Sequence, residues 1–301
     1  MGPDRGERWG GLVCEGVVSR SVRDSAMMLH HVQGADVGAP YFAPPHPDDF
    51  LQLFEKAPKK LRIGLCEMSL LGDGLHPDNL KAVNHTADLL KDLGHEVEYG
   101  CPSFERDELR RAYFIMVGAG VSQGILGIEE KLQRRVKYHE LEPSTWALKM
   151  IADSVSAGEY VHYQGVMHRE SRKIIRFFES FDLLLTPTAA IPPVKIGSFN
   201  LSSFQKAQIK VLRSLPVRKL LDMALDEMAA SALNATPNTM LFNMTGQPAI
   251  SLPLFWNQDD LPIGTQLVGR PGAELTLLQV ARQLEEREPW AERRPTLLGD
   301  S

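Results

Sequence analysis

The 301-residue chain carries 33 Lys and Arg against 38 Asp and Glu, a formal charge of -5 with a pI near 6.0. That balance excludes a dedicated nucleic-acid surface, which needs a strongly basic field to neutralise phosphates. Hydrophobic residues at 43% and charged residues at 24%, with prolines and glycines spread along the chain, describe a soluble globular protein long enough for a sizeable core.

The opening MGPDRGERWGG has no apolar core and is no signal peptide, and Gly6 stands where a myristoylation motif takes Ser or Thr. Ser21 with Asp24 forms a capping-box pattern that starts a helix, and Val22, Ala26, Leu29 and Val32 give it one apolar face before Gly34 ends it. A proline-marked connector follows, with a short amphipathic piece before Pro58. Leu61 to Met68 alternates as a strand does, Pro77 opens a helix with Leu80, Val83, Ala87 and Leu90 on one face, and Glu96 to Tyr99 reads as a second strand. This strand, helix, strand unit with a right-handed crossover sets the class as α/β.

From Glu105 to Glu179 the pattern is helical, broken at Pro143. The basic cluster Lys131, Arg134, Arg135 and Lys137 lies there beside Glu129 and Glu130, the pattern of a solvated helix face. Phe181 to Leu185 is a buried strand ending at Thr186-Pro187-Thr188, where proline removes a donor. Leu220 to Leu233 is helical; Ala249 to Phe255 and Ile263 to Val268 form a hairpin, and Glu274 starts a last helix that stops at Pro289. The uncharged stretch from Met228 to Gln258 is interrupted by Asn234, Asn238 and Asn243 and by Pro237, Pro248 and Pro253, so it reads as buried core with turns and no membrane association is expected. Cys14, Cys66 and Cys101, an odd number at wide spacing, fit neither a disulfide framework nor a paired-cysteine zinc site, so a reducing, cytoplasmic compartment is expected.

Three stretches, in order, carry a resemblance: GVVSRSVRDSA (16–26), FDLLLTPTAAIPP (181–193), and NMTGQPAISLP (243–253) with LPIGTQLVGRP (261–271) and the helix after it. The chain resembles the C-terminal portion of the amidase-signature family, diverging at Val17, where the family keeps proline, and is similar to the subgroup that opens 6-aminohexanoate cyclic dimers. The resemblance implies a mixed β-sheet with helices on both faces, residues 1–301 being part of a single amidase domain. It implies amide hydrolysis by a serine whose proton passes through a second serine to a neutral lysine, all three preceding the segment at Gly16. No catalytic residue is therefore assigned, and the chain alone is expected to be inactive. Thr186, Pro187 and Thr188, with Asn243, Thr245, Gly246 and Gln247, are expected as two pocket-lining loops. A small amide ligand, a missing N-terminal half or a second copy as partner, and no cofactor complete the expectation, with a non-catalytic subunit or pseudoenzyme as the alternative.

A rival motif is Gly120-Val121-Ser122-Gln123-Gly124, the G-x-S-x-G of a serine esterase if a strand precedes it; a histidine after the serine would have to be His139, His162 or His168. A Gly/Ser-rich helix-packing site is the competing reading. Glu159 and His162 have the spacing of a helical metal-ligand pair, but the further acids of a di-metal site are missing, and no phosphate-binding glycine loop occurs.

Overall fold

The computed structural model describes residues 6–42, 47–214, 219–223, 225 and 233–293. Helices α1 (Val22–Val32), α2 (Phe50–Phe54), α3 (Pro77–Asp92), α4 (Arg106–Leu132), α5 (Pro143–Asp153), α6 (Ala157–Ile175), α7 (Ser203–Ser214), α8 (Pro237–Thr245) and α9 (Glu274–Arg287) surround strands β1 (Arg62–Leu65), β2 (Glu96–Tyr99), β3 (Leu183–Pro187), β4 (Ala249–Trp256) and β5 (Pro262–Gly269). The sheet order is β2-β1-β3-β5-β4. β1 is parallel to β2 and β3, while β5 runs antiparallel to β3 and β4, so the sheet is mixed. Of the helix expected over Leu220 to Leu233, residues 220–223, 225 and 233 are helical, and 224 and 226–232 lie outside the described residues.

Alternation along β3 builds two cores. Leu183 and Leu185 pack with Ile63, Leu65, Leu252 and Leu267 beneath α1, α2, α3 and α9. Leu184 turns the other way, with Cys66 and Val268, into a cluster built from α4, α6 and α8. Because successive side chains on a strand point to opposite faces, a strand buried on both sides must be apolar throughout, as Leu183-Leu184-Leu185 is. Helix starts follow their local chemistry: Ser21 Oγ accepts the Asp24 N–H at 3.1 Å, and Ser156 with Glu159 completes a capping box for α6. Val32, in the last turn of α1, and Leu80, in the first turn of α3, stay exposed although their spacing placed them on the core face.

Two expectations are corrected. Cys66 and Cys101 form a disulfide across 35 residues of sequence, leaving Cys14 free. They follow β1 and β2, whose parallel pairing brings both ends together, a proximity that spacing alone does not reveal. This removes the premise of the reducing-compartment expectation. The segment read as a loop at Asn243 is helix: Asn243 and Thr245 belong to α8, which Gly246 closes at φ 76°. Among the described residues α4 alone is long and apolar enough to cross a membrane; here it packs against α5 and α6.

Glu170, in α6, has no exposed side-chain area. Its carboxylate accepts the Glu105 N–H at the start of α4 and pairs with Arg169 and Lys173, each at 2.9 Å. Burial pushes its pKa up, but the Glu105 amide, Lys173 and Arg169 outweigh burial and hold the carboxyl below its usual range. Both cations are about half exposed and can return to water. Glu170→Ala is therefore expected to cost about 2–3 kcal/mol in urea unfolding, below the ~3–5 kcal/mol of pairs buried on both sides. Since the folded pKa is depressed, Glu170's contribution is complete above the ordinary carboxylate value of about 4.3 and is lost as pH falls below it. The gap between wild type and variant should narrow in that window.

Candidate functional site

A cavity of about 500 Å³ opens on the α4–α6 side of the sheet, lined by Glu7, Trp9 and Gly10 from the N-terminal segment, by Ile115, Ala119, Gly120 and Gln123 of α4, and by residues 152, 155–157 and 160 around the α5–α6 junction. Its N-terminal wall is a 3-10 turn, Trp9–Gly11, in which all three residues take positive φ: 50°, 61° and 91°. Trp9 bears the strain of a left-handed residue, roughly 1–2 kcal/mol, and its indole lies flush against α4 because position 120 has no side chain. A Cβ at Gly120 would sit 1.9 Å from the Trp9 ring, and one at Gly10 would sit 2.1 Å from the Met116 methyl. Within the Gly120–Gly124 stretch, Gly120 is thus the packing site for the N-terminal turn, while Gly124 has nothing packed against it.

The cavity wall is mostly apolar, and Glu7 is its one carboxylate. Glu7 raises the Tyr41 hydroxyl above its ordinary pKa by its charge and by accepting that hydroxyl's hydrogen bond. Tyr160 is raised chiefly by burial and secondly by Glu7. Among the described residues Glu7 has no ion-pair partner. Ser156, also on the wall, is engaged in the α6 cap through Glu159.

Ser122 is no esterase nucleophile in this geometry. It lies inside α4, without the strand-to-helix turn the motif requires, and its hydroxyl donates to Asp153 Oδ1 at 2.9 Å. Asp153 is itself ion-paired with Lys149. A carboxylate held by an ammonium is a poor base toward an alcohol, so this trio ties α4 to α5. Glu159 is likewise occupied by its cap, and His162 stacks edge-on to Tyr163. Among the described residues no cluster of three or more metal-ligating side chains occurs.

The residues expected to line a pocket lie elsewhere. Thr186 and Pro187 are strand, and both are buried: Thr186 Oγ1 accepts from Gln266 Nε2 at 3.3 Å, and the Pro187 carbonyl accepts from Asn238 Nδ2 at 2.8 Å. Thr188 shares a 2.7 Å hydrogen bond with Ser251. Asn243 and Gly246 are exposed; Thr245 is buried and donates to Gln247, whose Nε2 is buried without a partner. The two groups are not brought together. Asn238, in the first turn of α8, meets Pro187, while Thr245 ends that helix seven residues, or about 10 Å, further on. What sequence reasoning missed is the wall made by Glu7, Trp9, Gly120 and Tyr160. Its one legible signal was Gly120, the first glycine of the supposed esterase motif.

Fold and cavity define an α/β protein with a mixed five-stranded sheet and a helix-lined pocket sized for a small molecule. The amidase family model matches residues 7–278, and the chain belongs to that family. It is 31% identical over 294 residues to the 6-aminohexanoate-cyclic-dimer hydrolase of Pseudomonas sp. (strain NK87), covering 97% of this chain and 57% of that one. The protein of the same name from Paenarthrobacter ureafaciens is similar to the same degree. A solved structure of 6-aminohexanoate cyclic dimer hydrolase complexed with substrate superposes with a TM-score of 0.80 at 30% identity, over 93% of this chain and 56% of that one. The chain thus spans a little over half the length of the curated relatives it matches.

Proposed function

We propose that the chain is the amide-binding portion of a carbon-nitrogen hydrolase, with the cavity beside Trp9 and α4 holding the aliphatic body of a small amide. The observation that carries this reading is the apolar, helix-walled cavity in a chain of the amidase family. The substrate named for its relatives, a cyclic dimer of an amino acid, is a compact amide of that type. The attacking nucleophile is assigned to polypeptide outside these residues, since Ser156, the serine on the cavity wall, is engaged in a helix cap, and Ser122, elsewhere on α4, is linked to Asp153. Exposed apolar side chains, Val18, Val37, Phe42 and Ile196, are surface that such a polypeptide would cover. On this reading residues 1–301 are part of one amidase domain.

Two measurements test it. Hexanamide added to the purified chain should change Trp9 emission saturably, and the change should vanish in Trp9→Phe. The same mixture should release no ammonia. Ammonia release by the pure chain would overturn the placement of the nucleophile, and an emission change unrelated to Trp9 would overturn the cavity assignment.

A further inference from the structure

We infer that this cavity selects amides whose aliphatic body ends in a protonated amine. The inference rests on the amide-binding reading above and specifies the ligand. Three features converge. Glu7 is the one charged side chain on a wall whose other polar residues, Gln123, Ser156 and Tyr160, are neutral, and among the described residues it has no cationic partner. It is held in place by the Tyr41 hydroxyl and lies over Gly11, whose missing Cβ would sit 3.2 Å from Glu7 Oε1. A carboxylate offers about four acceptor positions, of which Tyr41 occupies one, so room remains for an ammonium's donors.

The second feature is aromatic. Trp9 and Tyr160 belong to the same wall, and Tyr160 feels the charge of Glu7. Electron-rich rings next to a carboxylate attract cations. The third is the apolar lining between them, Ile115, Ala119, Ala152, Val155 and Ala157, which accepts methylenes and offers nothing to a second charge. A ligand neutral throughout would leave Glu7 facing solvent alone, whereas an alkyl chain capped by ammonium satisfies both surfaces at once.

Glu7 is exposed, so the gain is modest. An exposed ion pair together with one cation–π contact gives a preference of about five- to tenfold. The test compares isosteres, hexanamide and 5-aminopentanamide, by the Trp9 emission of the purified full chain at pH 7. The charged amide should bind about five- to tenfold more tightly at low salt. That ratio should fall toward one in 1 M NaCl, where exposed charges are screened. In Glu7→Gln the ratio should collapse at low salt too, with an unchanged urea midpoint showing that the variant is folded. Equal affinities in the wild type, or a preference that survives Glu7→Gln, would overturn the inference while leaving amide binding intact. Failure of both amides to bind would overturn the amide-binding reading, and this inference with it.

Discussion

Cys101→Ser lowers the unfolding free energy by about 3–4 kcal/mol, the loop-closure entropy expected for a bridge across 35 residues. The bridge encloses α3 and β2, so in its absence the unfolded chain regains the freedom of that whole unit. The folded state changes little, because Cys101 is exposed and a hydroxyl there is solvated, while Cys66 stays in the apolar cluster below α4 as a small hydrophobe. In urea the midpoint should drop by about 1 M or more. Wild type treated with dithiothreitol should unfold where the variant does. Coincident midpoints without reductant would show that the two sulfurs are not joined in the protein.

Gly120→Val should remove amide binding at the cavity by more than tenfold while the protein stays folded. The first atom added at position 120 would fall within 1.9 Å of the indole and within 2.6 Å of two more of its atoms, so Trp9 must leave α4. Overpacking of this kind costs about 1–3 kcal/mol. Some of that is returned, because glycine is the poorer helix former by roughly 0.5 kcal/mol. The loss of the wall has no such offset: Glu7, Trp9 and Gly10 form one side of the cavity, and all three move with the turn. Trp9 emission should shift to the red as the ring enters water, and hexanamide should no longer change it. A variant with native emission and native amide affinity would sink the assignment of this wall.

Much of the secondary structure was legible in the residues, for local reasons. Pro77 starts a helix because its missing N–H belongs to the first turn, and Pro143, read as a break in a helical stretch, is where α5 begins for the same reason. The Leu183-Leu184-Leu185 run could be read as a strand covered on both faces because neither face tolerates a polar side chain. Asn243 to Gln247 misled. Gly-Gln-Pro looks like a turn in any context, and the helix before it shows weak apolar periodicity because it is covered on more than one side.

The sequence by itself determined the class, the five strands and the helices after Ser21, Pro77 and Glu274, and membership of a family whose motifs are contiguous, since each depends on residues within a few positions of one another. The tertiary structure alone decided the rest. The Cys66–Cys101 bond depends on which strands pair, the burial of Glu170 on α6 meeting the start of α4, and the cavity on Trp9 reaching a glycine 111 positions away. Contacts of that span depend on strand order and helix packing, which are set by how all the apolar faces are buried together and leave no periodic trace in any one segment.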